Sequence, residues 1–268
     1  MSIGENLILV DKQTEYDIIH NPIATKGIIN DFSLFKFGDE KLKGYLVKSK
    51  NDKLIPLEEY ERCCHLVESG LYNNVYYPLE EFNEYYKKDY SILLERISFK
   101  IGAKNVFLSY SDEEEYNKEE KDSYNIETKA QAPVFKAEAN VNINSKNSSK
   151  DYTKIEHSKK MSMDKKEVSK EKFEAWLKTE NINIRAFYEI IGPYIDRYFE
   201  NGKIDFGNIT RKDVKIKHNI SSRDKRINIS AGFKYAPTFI KGKFNYDMDK
   251  FGSSEIKIAE MVKVKIEF

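Results

Sequence analysis

The sequence predicts an α+β protein whose C-terminal half forms an antiparallel β-sheet of about five to six strands with helices on one face. A smaller β-hairpin and a two-helix region precede that sheet. Alternating apolar residues recur through the second half, short polar connections separate them, and helical spacing dominates part of the first half. Short connections favour antiparallel neighbours, because a parallel crossover needs many more residues.

The first element is a predicted hairpin followed by a helix. Residues 32–37 are strand-like, residues 38–41 supply turn chemistry, and residues 44–48 can pair back. Pro56 then suits the first turn of a helix, where its missing N–H costs nothing, and Gly70 is typical of a helix end.

The second predicted helix begins after Pro78 and ends at Gly102. Its apolar residues recur at helical spacing and share one face; they are Leu79, Phe82, Tyr86, Tyr90, Leu93, Ile97 and Ile101. Residues 105–110 then read as a strand that leaves this helix.

A charged segment divides the chain. We predict an N-terminal region over residues 1–110, an acidic loop or linker over 111–125, and the sheet with inserted helices over 126–268. The run Glu113, Glu114 and Glu115 is the candidate loop for contact with a basic partner.

The second half opens on nearly perfect alternation over residues 135–143. One face carries Phe135, Ala137, Ala139, Val141 and Ile143. Ser169 then predicts a helix N-cap, and Phe173 lies where it can form a hydrophobic staple across that cap. Gly192 and Pro193 are expected to kink or break a following helix.

Four further alternating runs predict the remaining strands. They cover residues 214–220, 227–235, 240–248 and 256–268, and the second of them places Ile227, Ile229, Ala231 and Phe233 on one face. The apolar face of residues 135–143 and of this run is either sheet core or, alternatively, a surface that faces a membrane.

Composition narrows the classes of function. The chain of 268 residues has a formal charge of +1, whereas a dedicated nucleic-acid binder usually carries a basic excess, so we do not expect a nucleic-acid partner. Cys63 and Cys64 are adjacent and make poor disulfide partners, which favours a reducing compartment. Without a secretory leader or a membrane-length apolar run, a cytoplasmic location is expected.

No catalytic, cofactor or metal motif is recognisable, so we predict no cofactor and no metal site. The one arrangement that resembles a metal-dependent nuclease is Asp247 or Asp249 followed by Glu255-Ile256-Lys257. An acidic-x-Lys triplet occurs by chance in a chain with 45 basic and 44 acidic residues.

Three functions remain open. The first is a non-catalytic interaction or effector protein that acts through sheet and helix surfaces, with another protein as its expected partner. The second is a pore-forming type of protein, because a membrane strand needs about 9–11 alternating residues and several runs have that length. A metal-dependent nuclease or other hydrolase is the third, and the sequence leaves the oligomeric state and strand order open.

Overall fold

The computed structural model describes residues 3–29, 31–49, 51–112, 156–160, 168–201, 208–215, 229, 233–234, 236–244, 246 and 260–268. The chain divides into two compact units. The first draws on residues 1–90, 179–186 and 219–256, and the second on residues 91–178, 187–218 and 257–268.

A six-stranded mixed sheet forms the centre of the first unit. Its strand order is β2-β1-β5-β6-β3-β4. The pairs β1/β2 and β3/β6 are parallel, and the other neighbours are antiparallel. The strands are β1 (Asn6–Val10), β2 (Ser33–Lys36), β3 (Leu46–Lys48), β4 (Leu54–Pro56), β5 (Cys64–Glu68) and β6 (Val75–Pro78).

Two short helices connect the parallel strands β1 and β2. Helix α1 (Lys12–His20) follows β1 directly, because Asp11 caps it by accepting a hydrogen bond from the Thr14 N–H at 2.7 Å. Helix α2 (Pro22–Ile29) begins at Pro22, in keeping with the preference of proline for the first helical position.

The predicted arrangement of the fold is therefore wrong. The chain is α+β, but its N-terminal half holds a mixed sheet where we expected a hairpin and two helices. Strands β2 and β3 do not pair with each other, since β2 lies beside β1 and β3 lies between β6 and β4.

The helix predicted from Pro56 to Gly70 is also wrong. Only a 3₁₀ turn, Leu57–Glu59, is present before β5 begins. Strand β5 pairs with β1 on one side and β6 on the other, and its two faces lie in different cores. A strand that is buried on both faces reads as a continuous apolar run, and periodicity cannot distinguish such a run from a helix.

The two faces of the mixed sheet build two cores. Leu7 and Leu9 of β1 face one core, together with Leu42 and Leu57 of two 3₁₀ segments (Glu40–Leu42 and Leu57–Glu59). Ile8 and Val10 face the other core, which the helices cover. Helix α3 (Phe82–Lys100) confirms the predicted second helix and contributes Phe82 to the helical core.

Two predicted strands near the C-terminus are wrong where the structure describes them. Ile229 and Phe233 are helical and buried in the core, and Thr238–Phe244 forms a helix, α6. Residues four apart share a face in a strand and in a helix alike, so Ile229 and Phe233, like Ile240 and Phe244, fit both periods. Pro237 directly precedes this helix, and its carbonyl oxygen accepts hydrogen bonds from the N–H groups of residues 240 and 241.

The second unit contains a four-stranded antiparallel sheet of order β8-β7-β10-β9. Its strands are β7 (Asn105–Asp112), β8 (Glu156–Lys160), β9 (Asn208–Lys215) and β10 (Glu260–Glu267). Two helices belong with it. Helix α4 (Lys170–Thr179) has Ser169 as its cap. Of the kink or break predicted at Gly192 and Pro193, the break is absent, since α5 (Tyr188–Asn201) continues through Pro193.

Candidate interaction surface

Three helices of the first unit form a layer on one face of the mixed sheet. Helix α1 lies next to both α2 and α6. Each helix buries isoleucine or phenylalanine in the common core; the buried residues are Ile18, Ile28, Ile240 and Phe244. The opposite faces of these helices are therefore available to solvent.

Large apolar side chains occupy that outward side. Ile23, at the start of α2, is 95% exposed, while Ile19 and Tyr16 of α1 are 58% and 57% exposed. Phe239 of α6 is 55% exposed. Single exposed apolar residues are ordinary, but a group on adjacent elements is typical of an interaction site. We call these four residues the α1–α2–α6 surface.

The charged residues on the same helices have one sign where they are exposed. Lys12 of α1, Lys26 of α2 and Lys243 of α6 are exposed, and Lys234 is exposed just before α6. The acidic residues of α1, Glu15 and Asp17, are half-buried. The outward side of the layer therefore combines apolar side chains with lysines.

Asp11 anchors α1 to α6. The Lys243 Nζ lies 3.0 Å from Asp11 Oδ2, while Asp11 Oδ1 caps α1. Burial raises the pKa of Asp11, but the hydrogen bonds from the Thr14 N–H and from Lys243 lower it further, so the pKa lies below its ordinary value. The ion pair holds the two helices that carry Tyr16 and Phe239.

Cys63 lies beside this ion pair without the properties of a reactive thiol. Its Sγ is 4.0 Å from Asp11 Oδ2, and the side chain is buried. Burial raises the pKa of the Cys63 thiol, and the nearby Asp11 carboxylate raises it as well. The thiolate is the nucleophilic form, so these surroundings disfavour nucleophilic chemistry at neutral pH.

His65 forms a second polar site, inside the helical core. Its Nε2–H donates to the Ile28 carbonyl oxygen at 2.8 Å, and its Nδ1 accepts from the Tyr246 hydroxyl at 2.7 Å. A carbonyl oxygen only accepts, which places the single ring proton on Nε2. The Tyr246 oxygen in turn accepts from the His65 backbone N–H at 2.8 Å. Every polar atom of the imidazole is thus paired in its neutral form.

Removal of the Tyr246 hydroxyl is expected to destabilise the first unit. The Tyr246→Phe variant leaves the His65 N–H and Nδ1 without their partner, and an unsatisfied buried group costs about 1–3 kcal/mol. We expect the free energy of unfolding in urea to fall by about 2 kcal/mol. Tyr188→Phe is the matched control, because that hydroxyl bonds Asp196 on the exterior. Equal losses in the two variants would contradict the proposed role of the Tyr246 hydroxyl.

A third polar cluster extends from the exterior into the first unit. The Lys48 Nζ lies 2.6 Å from Asp89 Oδ1 and 3.2 Å from Asp52 Oδ1. The Tyr77 hydroxyl donates to Asp89 Oδ2 at 2.5 Å, and Lys88 pairs with the exposed side of Asp52. Hydrogen bonds from Lys88 and Lys48 hold the pKa of Asp52 below its ordinary value despite burial. The carboxylates of Asp52 and Asp89 therefore both form ion pairs with lysines.

These clusters do not form a metal centre. Among the residues that the structure describes, no group of three or more His, Cys, Asp or Glu side chains could hold a metal ion. Asp89 is the one buried acidic residue in that part of the chain, and it is paired with Lys48. The nuclease motif at Asp247, Asp249 and Glu255–Lys257 lies outside the described residues.

Most of the predicted site residues also lie outside the described residues. These are the acidic loop Glu113, Glu114 and Glu115, the face Phe135, Ala137, Ala139, Val141 and Ile143, and the two residues Ile227 and Ala231. Ile229 and Phe233 lie in the helical core, 1% exposed, and do not face solvent.

The sequence reasoning missed the α1–α2–α6 surface entirely. Two signals for its helices were available: the cap residue Asp11, followed by an acidic residue in the first turn, and Pro22 at the start of α2. The exposure of Ile19 and Ile23 has no such signal, because isoleucines on short helices normally face a core.

No protein-family model, curated protein or solved structure matches the chain. Within the described ranges, no helix combines the length and apolar character needed to cross a membrane.

Proposed function

We propose that the chain is a non-catalytic interaction protein that binds its partner through the α1–α2–α6 surface. The exposure of Ile23, 95%, beside Ile19 and Tyr16 is the observation that carries the proposal. Large apolar side chains that are exposed together on adjacent elements are typical of an interaction site. Such side chains gain free energy when a partner removes them from water, at about 25 cal/mol per Å².

The interior polar clusters support a binding role over a catalytic one. A catalytic base or nucleophile has to be within reach of a substrate and able to exchange its proton. His65 is fully buried with both ring nitrogens bonded, and Asp89 is held by Lys48 and Tyr77. The hydrogen bonds and the ion pair of His65 and Asp89 are therefore explained by a structural role in the core.

Photo-crosslinking from single positions tests the proposal whatever the identity of the partner. A benzophenone amino acid placed at Ile23 reacts with C–H bonds of any molecule that covers it, whether protein or lipid. In an unfractionated extract of the source cells, membranes included, we expect adducts from position 23. We expect few from position 54, where Leu54 is also exposed but lies on β4.

Competition supplies the specificity control. An excess of unlabelled wild-type protein should abolish the adducts at position 23, whereas an excess of the Ile19→Ser/Ile23→Ser variant should not. Both replaced side chains are exposed, so the variant is expected to unfold at the same urea concentration as wild type. Equal labelling from positions 23 and 54, or equal competition by the variant, would overturn the proposed function.

A further inference from the structure

We propose that the partner of the α1–α2–α6 surface is the anionic surface of a lipid bilayer, onto which the helical layer docks without crossing it. This inference rests on the proposed function and adds the chemistry of the partner. It differs from pore formation, because it uses helices and requires no refolding of strands.

The apolar residues have the arrangement that interfacial docking needs. Peripheral helices bind a bilayer by burying large apolar side chains at the boundary of head groups and acyl chains. Tyr16 and Ile19 lie on the outward side of α1, and Ile23 begins the next helix. Tyrosine suits the interface further, since its ring is apolar and its hydroxyl remains hydrated.

The exposed lysines on the same helices are complementary to anionic lipid head groups. Lys12 and Lys26 flank the apolar group along α1 and α2, and Lys234 is exposed beside α6. Lysines attract anionic lipids and extend their ammonium groups to the phosphates while their carbon chains cover apolar surface. Glu15 and Asp17 of α1 are half-buried, whereas Lys12 and Lys26 are exposed, so the most exposed charges on α1 and α2 are positive.

The exposure of Ile23 favours lipid over an acidic protein. A side chain that is 95% exposed has almost no neighbours of its own, so a protein partner would have to supply a complete pocket for it. The bilayer interface needs no preformed pocket, because lipids rearrange around an inserted side chain. A few inserted side chains and lysines give weak, reversible binding, which is typical of peripheral proteins.

Vesicle sedimentation with the full chain tests the inference. We expect the protein to co-sediment with vesicles in which a third of the phosphatidylcholine is replaced by phosphatidylserine, and much less with pure phosphatidylcholine. Binding should fall as salt rises, because salt screens the attraction between lysines and lipid head groups. Ile23→Trp should shift its fluorescence to shorter wavelength on binding. Leu54→Trp should not, and the native Trp176 contributes equally to both.

Matched variants separate the apolar and the charged contributions. Ile19→Ser/Ile23→Ser should lower the partition coefficient at least roughly tenfold, since burial of a large apolar side chain is worth more than one factor of ten. Lys12→Gln/Lys26→Gln should lower it about fivefold for each charge removed. The control Lys53→Gln/Leu54→Ser removes one exposed lysine and one exposed leucine elsewhere and should leave binding unchanged.

The outcomes distinguish this inference from the function on which it rests. Absence of co-sedimentation, equal binding to both kinds of vesicle, or binding that survives Ile19→Ser/Ile23→Ser would each overturn the lipid assignment. If position 23 then crosslinks selectively to a protein, the interaction function stands with a protein as partner. If position 23 labels no more than position 54, both proposals fall.

Discussion

Replacement of Lys48 by methionine is expected to lower the free energy of unfolding by about 3–5 kcal/mol, because it leaves a buried carboxylate without its cation. Lys48 and Asp89 are both almost fully buried, and their charged atoms are 2.6 Å apart. Methionine keeps most of the length of the side chain, so the loss reports the charge and not a cavity. Urea unfolding at neutral pH measures it.

A double-mutant cycle with Asp89→Asn shows whether the pair causes the loss. Asparagine is neutral and retains an oxygen that can accept from the Tyr77 hydroxyl. The Lys48→Met/Asp89→Asn variant should therefore be more stable than Lys48→Met alone. Lys88→Met, which breaks the exposed contact with Asp52, should cost below about 1 kcal/mol. A similarly small loss for Lys48→Met would show that water reaches Asp89.

The sequence predicted those elements whose periodicity has a single reading. Helix α3 is the clearest case, since seven residues from Leu79 to Ile101 recur at intervals of three or four, a pattern that a strand cannot use. Strand β7 follows it where predicted. In α3 the spacing identifies a buried face, since Phe82, Tyr90, Leu93 and Ile97 are all buried.

The secondary structure was predicted wrongly where a segment is buried on both faces, or where its apolar spacing fits both a helix and a strand. Cys64, Leu66 and Val67 lie in a central strand with a core on either side, which removes the alternation that identifies a strand. Ile240 and Phe244 are four residues apart and satisfy both a helix and a strand. Pro237 was the available signal, because proline favours the start of a helix.

The candidate surface could not be predicted, for a different reason. Periodicity separates the two faces of a helix but assumes that the apolar face is the buried one. On α1, Ile18 is buried while its neighbour Ile19 is 58% exposed, and on α2 Ile28 is buried while Ile23 is 95% exposed. Periodicity alone therefore does not indicate which isoleucines of these helices are exposed.

Acidification from pH 6.5 to pH 4 is expected to cost the first unit about 3 kcal/mol through His65. Burial lowers the pKa of His65 from about 6.5 to about 4. Phe32, Phe233 and Phe244 surround the ring and offer no charge to stabilise an imidazolium. The unfolded chain binds the proton first, so the stabilisation is complete above pH 6.5 and is lost as the pH falls to 4.

The variant His65→Gln isolates this effect, because its side-chain amide can both donate and accept hydrogen bonds but does not titrate. Hydrogen bonds from the Thr14 N–H and Lys243 lower the pKa of Asp11, and those from Lys88 and Lys48 lower the pKa of Asp52, in each case despite burial. Both carboxylates therefore lose their stabilisation at lower pH than His65 does. Burial raises the pKa of Glu68, so protonation of Glu68 favours the folded state as the pH falls and partly offsets the loss of stability through His65. This contribution is the same in the wild type and in His65→Gln. Urea midpoints of wild type should fall steeply between pH 6.5 and 4, and those of His65→Gln much less. Parallel profiles would mean that the imidazole becomes protonated within the folded protein, which burial among the surrounding aromatic rings opposes.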